Sequence, residues 1–149
     1  MSGKTQGVID DFVDMLRSRG FVLDIEGPFE EYLGIKFKRN GRDDTIEMTQ
    51  KGLITKIIAT MGLADCKPNI SPASQIPLGK DEQGLPMSES WNYPSIVGML
   101  LYLSTNTRPD ISFAVSQVGR FSSAPKQSHA KAVKTIVRYL AGTTDKGMI

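Results

Sequence analysis

One cysteine, Cys66, is all the chain carries. A lone thiol excludes an internal disulfide and any zinc site built from cysteines, and it suits a reducing intracellular compartment. There is likewise one histidine, His129, with no His/Cys cluster to join. It offers neither a metal site nor a catalytic dyad and reads as a polar residue in the first turn of the last helix. No apolar run approaches about 18 residues, so no membrane-spanning helix is expected. Met1-Ser2-Gly3-Lys4 lacks the apolar segment of a signal peptide. No glycine-rich phosphate cradle is present. Charge of one sign is lacking too. The 18 basic residues against 16 acidic ones leave +2, which neither demands nor excludes a polyanionic partner, so only local charge can decide. What is present is apolar material: 40% of 149 residues. That suits one medium domain, or two small lobes sharing a core, and does not fit global disorder.

The pattern along the chain predicts an α+β fold with a helical majority. Residues 5–19 form an amphipathic helix, with Val8, Ile9, Phe12, Val13 and Leu16 on one side and Gly20 as its stop. Residues 21–25 predict a strand, ended by Gly27-Pro28. From Tyr32 to Phe37 the chain alternates as a strand, turns at Asn40-Gly41 and returns through residues 45–49. This hairpin organises the rest of the chain, although its residues alone also fit an ordinary surface hairpin. A helix covers residues 51–61. The periodicity then vanishes over residues 64–90, which hold Pro68, Pro72, Pro77 and Pro86. This long excursion lies across the surface or is partly mobile. Three further helices complete the chain. The first, opening near Pro94 and running through Leu103, is apolar nearly all round and should be buried. The second is capped by Thr107, carries Asp110 near its positive end and runs to Phe121. The third spans residues 128–140.

Chemistry-bearing groups are sparse. Asp10-Asp11 and Asp43-Asp44 are paired carboxylates of the kind that hold divalent metals. The first pair sits in a helical pattern and the second in a turn, and a solvated surface accounts for both. Trp91 and Tyr93 read as packing anchors. Lys131, Lys134 and Arg138 fall at i, i+3 and i+7 of the last helix, opposite its apolar stripe, with Lys126 before them and Lys146 after. Such a stripe binds phosphates or is simply a solvated face, and composition alone leaves both open.

In series, the segments form a recognisable progression. Tyr32-Leu33-Gly34-Ile35, then Met48-Thr49-Gln50-Lys51, then Met61-Gly62-Leu63-Ala64-Asp65-Cys66-Lys67-Pro68 come first. Tyr93-Pro94-Ser95-Ile96-Val97-Gly98-Met99-Leu100-Leu101-Tyr102-Leu103, Thr107-Arg108-Pro109-Asp110 and Arg138-Tyr139-Leu140-Ala141-Gly142-Thr143 come after them. The chain resembles the reverse transcriptase of copia-type retrotransposons over nearly its whole length.

The resemblance implies the end of a reverse-transcriptase palm over residues 1–50, with a hairpin similar to the primer grip. It implies a mostly helical, thumb-like region over residues 51–149. In that family the catalytic tyrosine-x-Asp-Asp motif precedes the helix matched by residues 5–19, so no residue here is expected to be catalytic or to bind metal. The chain alone is expected to be inactive and to need no cofactor, while Mg2+ or Mn2+ serves the parent enzyme. The implied partner is an RNA/DNA primer–template duplex, contacted by Leu33, Gly34, Ile35, Lys36 and Lys38 of the hairpin and by Lys131, Lys134 and Arg138. Gly34, without a side chain, is expected to let another backbone approach closely. The fingers and the catalytic part of the palm are further expected partners. No membrane association is expected, and the expected location is cytoplasmic or nuclear. The alternative is a non-catalytic transposon-derived remnant or interaction protein with no nucleic-acid function.

Overall fold

The computed structural model describes residues 2–23 and 30–149, with side chains from residue 7 onward. Helix α1 is Ser2–Ser18. Three short strands come next, β1 (Glu31–Tyr32), β2 (Ile35–Asn40) and β3 (Thr45–Thr49), then helix α2 (Lys51–Thr60). After the irregular segment 64–90 come α3 (Tyr93–Asn106), a 3-10 turn at Pro109–Ile111, α4 (Ser112–Gly119) and α5 (Gln127–Ala141). The architecture is α+β: an N-terminal helix, a three-stranded antiparallel sheet and a mostly helical remainder.

The helical body holds the core. Helices α2, α3, α4 and α5 pack in a closed ring, each against two others. Its centre is Ile54, Ile57, Ile96, Leu100, Leu103, Ile111, Val133, Ile136, Val137 and Leu140, all essentially inaccessible to water. On α5 the buried apolar positions are Ala130, Val133, Ile136, Val137 and Leu140, the 3.6-residue stripe that the sequence predicts. Helix α3 is less enclosed than its composition suggests. Leu101 and Tyr102 face solvent, because the ring covers only one side of α3.

Helix α1 stands apart. It ends with paired bonds, Gly20 N–H to the Arg17 carbonyl and Phe21 N–H to the Leu16 carbonyl, the Schellman arrangement around a left-handed glycine. Its apolar side is open: Val8, Ile9, Phe12 and Met15 are 68, 50, 56 and 41% exposed. The strand expected over residues 21–25 does not form at residues 21–23, which are irregular. Asp24, Ile25 and the Gly27-Pro28 stop lie outside the described residues.

The hairpin is a three-strand meander in order β1-β2-β3. Tyr32 to Phe37 is not one continuous strand. The chain reverses at Leu33-Gly34, where both residues have positive φ (51° and 78°), the signature of a type I′ turn. Tyr32 pairs with Ile35, and Glu31 with Lys36. Gly34 therefore serves the turn, and among the described residues nothing lies within 4 Å of where its Cβ would be. The second turn spans residues 41–44, with its positive φ at Asp44 rather than at Asn40-Gly41. Asn40 ends β2 opposite Thr45, and its side chain organises the turn by accepting from Arg42 N–H and donating to Asp43.

Among the described residues, several ties bind the sheet and its exit to the rest of the chain. Met48 and Met148 exchange both backbone hydrogen bonds, at 2.8 and 3.0 Å. Gly147 permits this closeness, since a Cβ there would stand 2.1 Å from the Met48 carbonyl oxygen. The Tyr102 hydroxyl donates to the Leu33 carbonyl at 3.0 Å. The Thr107 hydroxyl donates to the Gln50 amide oxygen at 2.8 Å, in a buried position. Thr107 thus closes α3 instead of capping the next helix, because its hydroxyl is taken by this buried acceptor. That next helix, α4, ends at Gly119, short of Phe121.

Segment 64–90 lies across α4 and α5. It has no helix or strand of its own but is anchored repeatedly. Asn69 N–H donates to the Arg138 carbonyl, Met87 N–H to Pro125, and Gln127 N–H to the Leu85 carbonyl.

Candidate nucleic-acid interface

The outer face of α5 carries Lys131, Lys134 and Arg138, opposite the buried stripe. Lys131 is exposed, and Lys134 and Arg138 are half-buried. Their environments differ. The Lys134 ammonium is 2.7 Å from the Glu89 carboxylate. Arg138 donates through Nε to the Lys67 carbonyl at 2.8 Å, which brings Lys67 beside the stripe. Helical spacing does not mark Lys67 as part of this group, because its connection to α5 runs through tertiary contact.

The hairpin cations are differently placed. Lys36 and Lys38 share one face of β2, as strand alternation requires. That face is charge-balanced. Glu31 approaches Lys36 to 4.0 Å, and Glu47 stands directly across from Lys38. Both lysines line a broad recess with Glu30, Glu31, Glu47 and Asp145. Leu33 and Gly34 form the exposed turn, and Ile35 is buried beneath it. Hairpin and α5 cations line separate recesses.

The carboxylate pairs sit on the surface. Asp10 and Asp11 are exposed on α1. Asp44 pairs with Arg39 within the hairpin turn and holds the Arg39 guanidinium above its ordinary value by that hydrogen bond. Among the described residues, no three His, Cys, Asp or Glu side chains converge as metal ligands.

His129 is buried in the first turn of α5. Its Nδ1 accepts from Lys126 N–H at 3.0 Å, so the remaining ring nitrogen, Nε2, donates to the Gly79 carbonyl at 2.9 Å. The Phe121 ring stacks on it at 4.0 Å. The histidine caps α5 and pins the long segment to it.

Arg108, in the Thr107-Arg108-Pro109-Asp110 segment, is a further residue whose role the sequence alone does not reveal. It is 1% exposed, grips Asp110 through Nε and Nη2 at 3.0 and 2.8 Å, and donates to Thr143. Tyr139 donates to the same Asp110 carboxylate at 2.7 Å. Burial opposes the Asp110 charge, but the hydrogen bonds from Arg108 and Tyr139 outweigh it and hold the carboxyl below its ordinary value. The bond to Asp110 is also the main reason Tyr139 is raised. The network is structural: it locks the base on which the α5 face stands.

Compared with known proteins, the chain aligns along almost all of its length. It is 34% identical to the retrovirus-related Pol polyprotein from transposon TNT 1-94 of Nicotiana tabacum, across 95% of this chain and 11% of that protein. It is 32% identical to the retrovirus-related Pol polyprotein from transposon RE1 of Arabidopsis thaliana, across 99% of this chain and 10% of that one. The chain is homologous to a segment of copia-type retrotransposon Pol polyproteins. It spans about a tenth of the length of these curated relatives. An uncharacterized mitochondrial protein of Arabidopsis thaliana is 29% identical across 99% of this chain and 60% of its own length. No protein-family model matches the chain, and no solved structure matches it. Among the described residues, no helix is long and apolar enough to cross a membrane.

Proposed function

We propose that this Pol-polyprotein segment is the rear of a copia-type reverse-transcriptase palm (1–50) with its thumb-like region (51–149), and that it holds primer–template without performing chemistry. The observation that carries this reading is the α5 face. Lys131, Lys134 and Arg138 lie on the side of α5 opposite its buried stripe, so one rigid support carries all three, with Lys131 exposed and Lys134 and Arg138 half-buried. Phosphate contacts by such a face are sequence-independent and release counterions. The hairpin would supply the primer-grip-like contacts of Leu33, Gly34, Ile35, Lys36 and Lys38. The apolar side of α1 would be covered by the fingers and catalytic palm of the parent enzyme, which would also hold its Mg2+ or Mn2+.

The test is binding of a labelled RNA/DNA primer–template across a salt series, paired with primer extension in Mg2+ or Mn2+. We expect binding that weakens with salt, no preference for sequence, and no extension. Absence of binding at low salt would overturn the holding role. Extension that disappears in the Asp10→Asn/Asp11→Asn double variant would overturn the non-catalytic assignment. The similarity to the much shorter mitochondrial protein favours a second reading, a transposon-derived remnant or interaction protein without nucleic-acid function. That reading predicts no duplex binding at any salt.

A further inference from the structure

Beside α5 lies a recess of about 250 Å³ whose cations come from two walls. Helix α5 supplies Lys131, Lys134 and Arg138, and the chain just past α2 supplies Lys67, with Cys66 beside it. The walls are locked together. Arg138 Nε donates to the Lys67 carbonyl at 2.8 Å, and Asn69 N–H donates to the Arg138 carbonyl at 3.2 Å. Pro68 lies so close to Gly142 that a Cβ on the glycine would sit 2.7 Å from it. Among the described residues, no carboxylate lines the recess. Glu89 lines the adjoining recess and holds Lys134 at 2.7 Å. Among the described residues, no carboxylate forms an ion pair with Lys67, Lys131 or Arg138.

Lys67, Lys131 and Arg138 line one small concavity and have no ion-pair partner among the described residues, so an anion seated there would offset their mutual repulsion. A flat solvated face has no such focus. Arg138 spends its Nε on the opposite wall and keeps its terminal nitrogens for a ligand oxygen. We infer that this recess seats one backbone phosphate of the bound nucleic acid, held by Lys67, Lys131 and Arg138, while Glu89 keeps Lys134 out of the contact. The inference rests on the nucleic-acid-holding role proposed above and adds two residues to it. Lys67 is a direct contact, and Glu89 is an internal competitor for the stripe.

Cys66 makes the occupancy measurable, because it is the only thiol and lines the same recess. The full chain is treated with iodoacetamide, a neutral reagent, with and without saturating primer–template at low salt. Bound duplex should slow Cys66 alkylation several-fold, and inorganic phosphate at the same phosphate concentration should not. In parallel, Lys67→Gln should weaken duplex binding several-fold and lower the salt slope by about one. Glu89→Gln should tighten binding several-fold. Lys56→Gln and Glu82→Gln, which make the same charge changes away from the recess, should leave affinity unchanged. If duplex binds but Cys66 reacts at its free rate, and the two recess variants match their controls, the recess assignment is overturned while the holding role stands. Protection by inorganic phosphate but not by duplex overturns the nucleic-acid occupant. Failure of duplex to bind at all overturns both.

Discussion

The Arg108 guanidinium donates to the Thr143 carbonyl across 2.8 Å, tying the chain just past α3 to the chain just past α5. Breaking a buried charged network by removing one partner costs about 3 kcal/mol or more. For a chain of this size that corresponds to a fall in melting temperature of roughly 10 °C. Arg108→Ala is therefore expected to lower the thermal transition followed by circular dichroism by that order. Arg108→Lys should not rescue it, since an ammonium cannot reproduce the two-pronged grip on Asp110. Arg39→Ala, whose pair with Asp44 is open to solvent, should leave the transition near that of the parent.

Tyr93 and Asp110 set opposite pH limits. Burial pushes Tyr93 up to about 12 from 10.0, and its hydroxyl donates to the Val118 carbonyl at 2.9 Å. The unfolded chain releases this proton more readily, so stability should fall as pH rises from about 10 toward 12. Asp110 is depressed below 3.8. Its contribution is in place above that value and is lost as pH falls through the lower folded one. Denaturant titrations at a series of pH values check both limits. Tyr93→Phe should cost about 1 kcal/mol at neutral pH and flatten the alkaline decline. An alkaline decline of unchanged slope in that variant would rule Tyr93 out as its cause.

The open side of α1 should make the isolated chain sticky. Exposed Val8, Ile9, Phe12 and Met15 form a contiguous apolar stripe of the kind that drives association. Ile9→Glu/Phe12→Glu should reduce binding of an environment-sensitive dye and shift light scattering toward monomer. The melting temperature should hardly move, because neither side chain belongs to the core. A large drop in melting temperature would mean that α1 packs more closely than its exposure indicates.

Hairpin and α5 cations should contribute unequally to duplex affinity. Lys36 and Lys38 face Glu31 and Glu47, so their removal exposes carboxylates as well as deleting cations. Lys36→Gln/Lys38→Gln should change the salt slope less than Lys131→Gln/Arg138→Gln does. If the two sites act independently, their combined effect should be close to the sum. A larger loss from the hairpin pair would put the main phosphate track on the sheet.

The helices are legible in the sequence because burial imposes a 3.6-residue period that Val133, Ile136, Val137 and Leu140 display openly. The hairpin is legible only in part. Tyr32 to Phe37 alternates like a single strand, and nothing local except Gly34 marks a turn in which Leu33 must also take positive φ. On the surface, Lys131, Lys134 and Arg138 follow from helical spacing, whereas Lys67 joins them through contacts made far along the chain. Arg108 is the hardest to foresee. A charged residue reads as surface until its partner Thr143, 35 positions on, is brought against it.

Trp91 is the only tryptophan. It is 6% exposed within the helical core, with its ring 6.1 Å from that of Tyr93. Its emission is thus a private optical signal of the helical ring, fed by energy transfer from its stacked neighbour. Helix α1 and the meander contain no indole, so their melting is dark to this probe. Fluorescence and far-ultraviolet dichroism recorded on one denaturant series would separate wherever the sheet lets go before the ring does. The gap between the two curves would measure how firmly the short Met48–Met148 bridge couples the two parts.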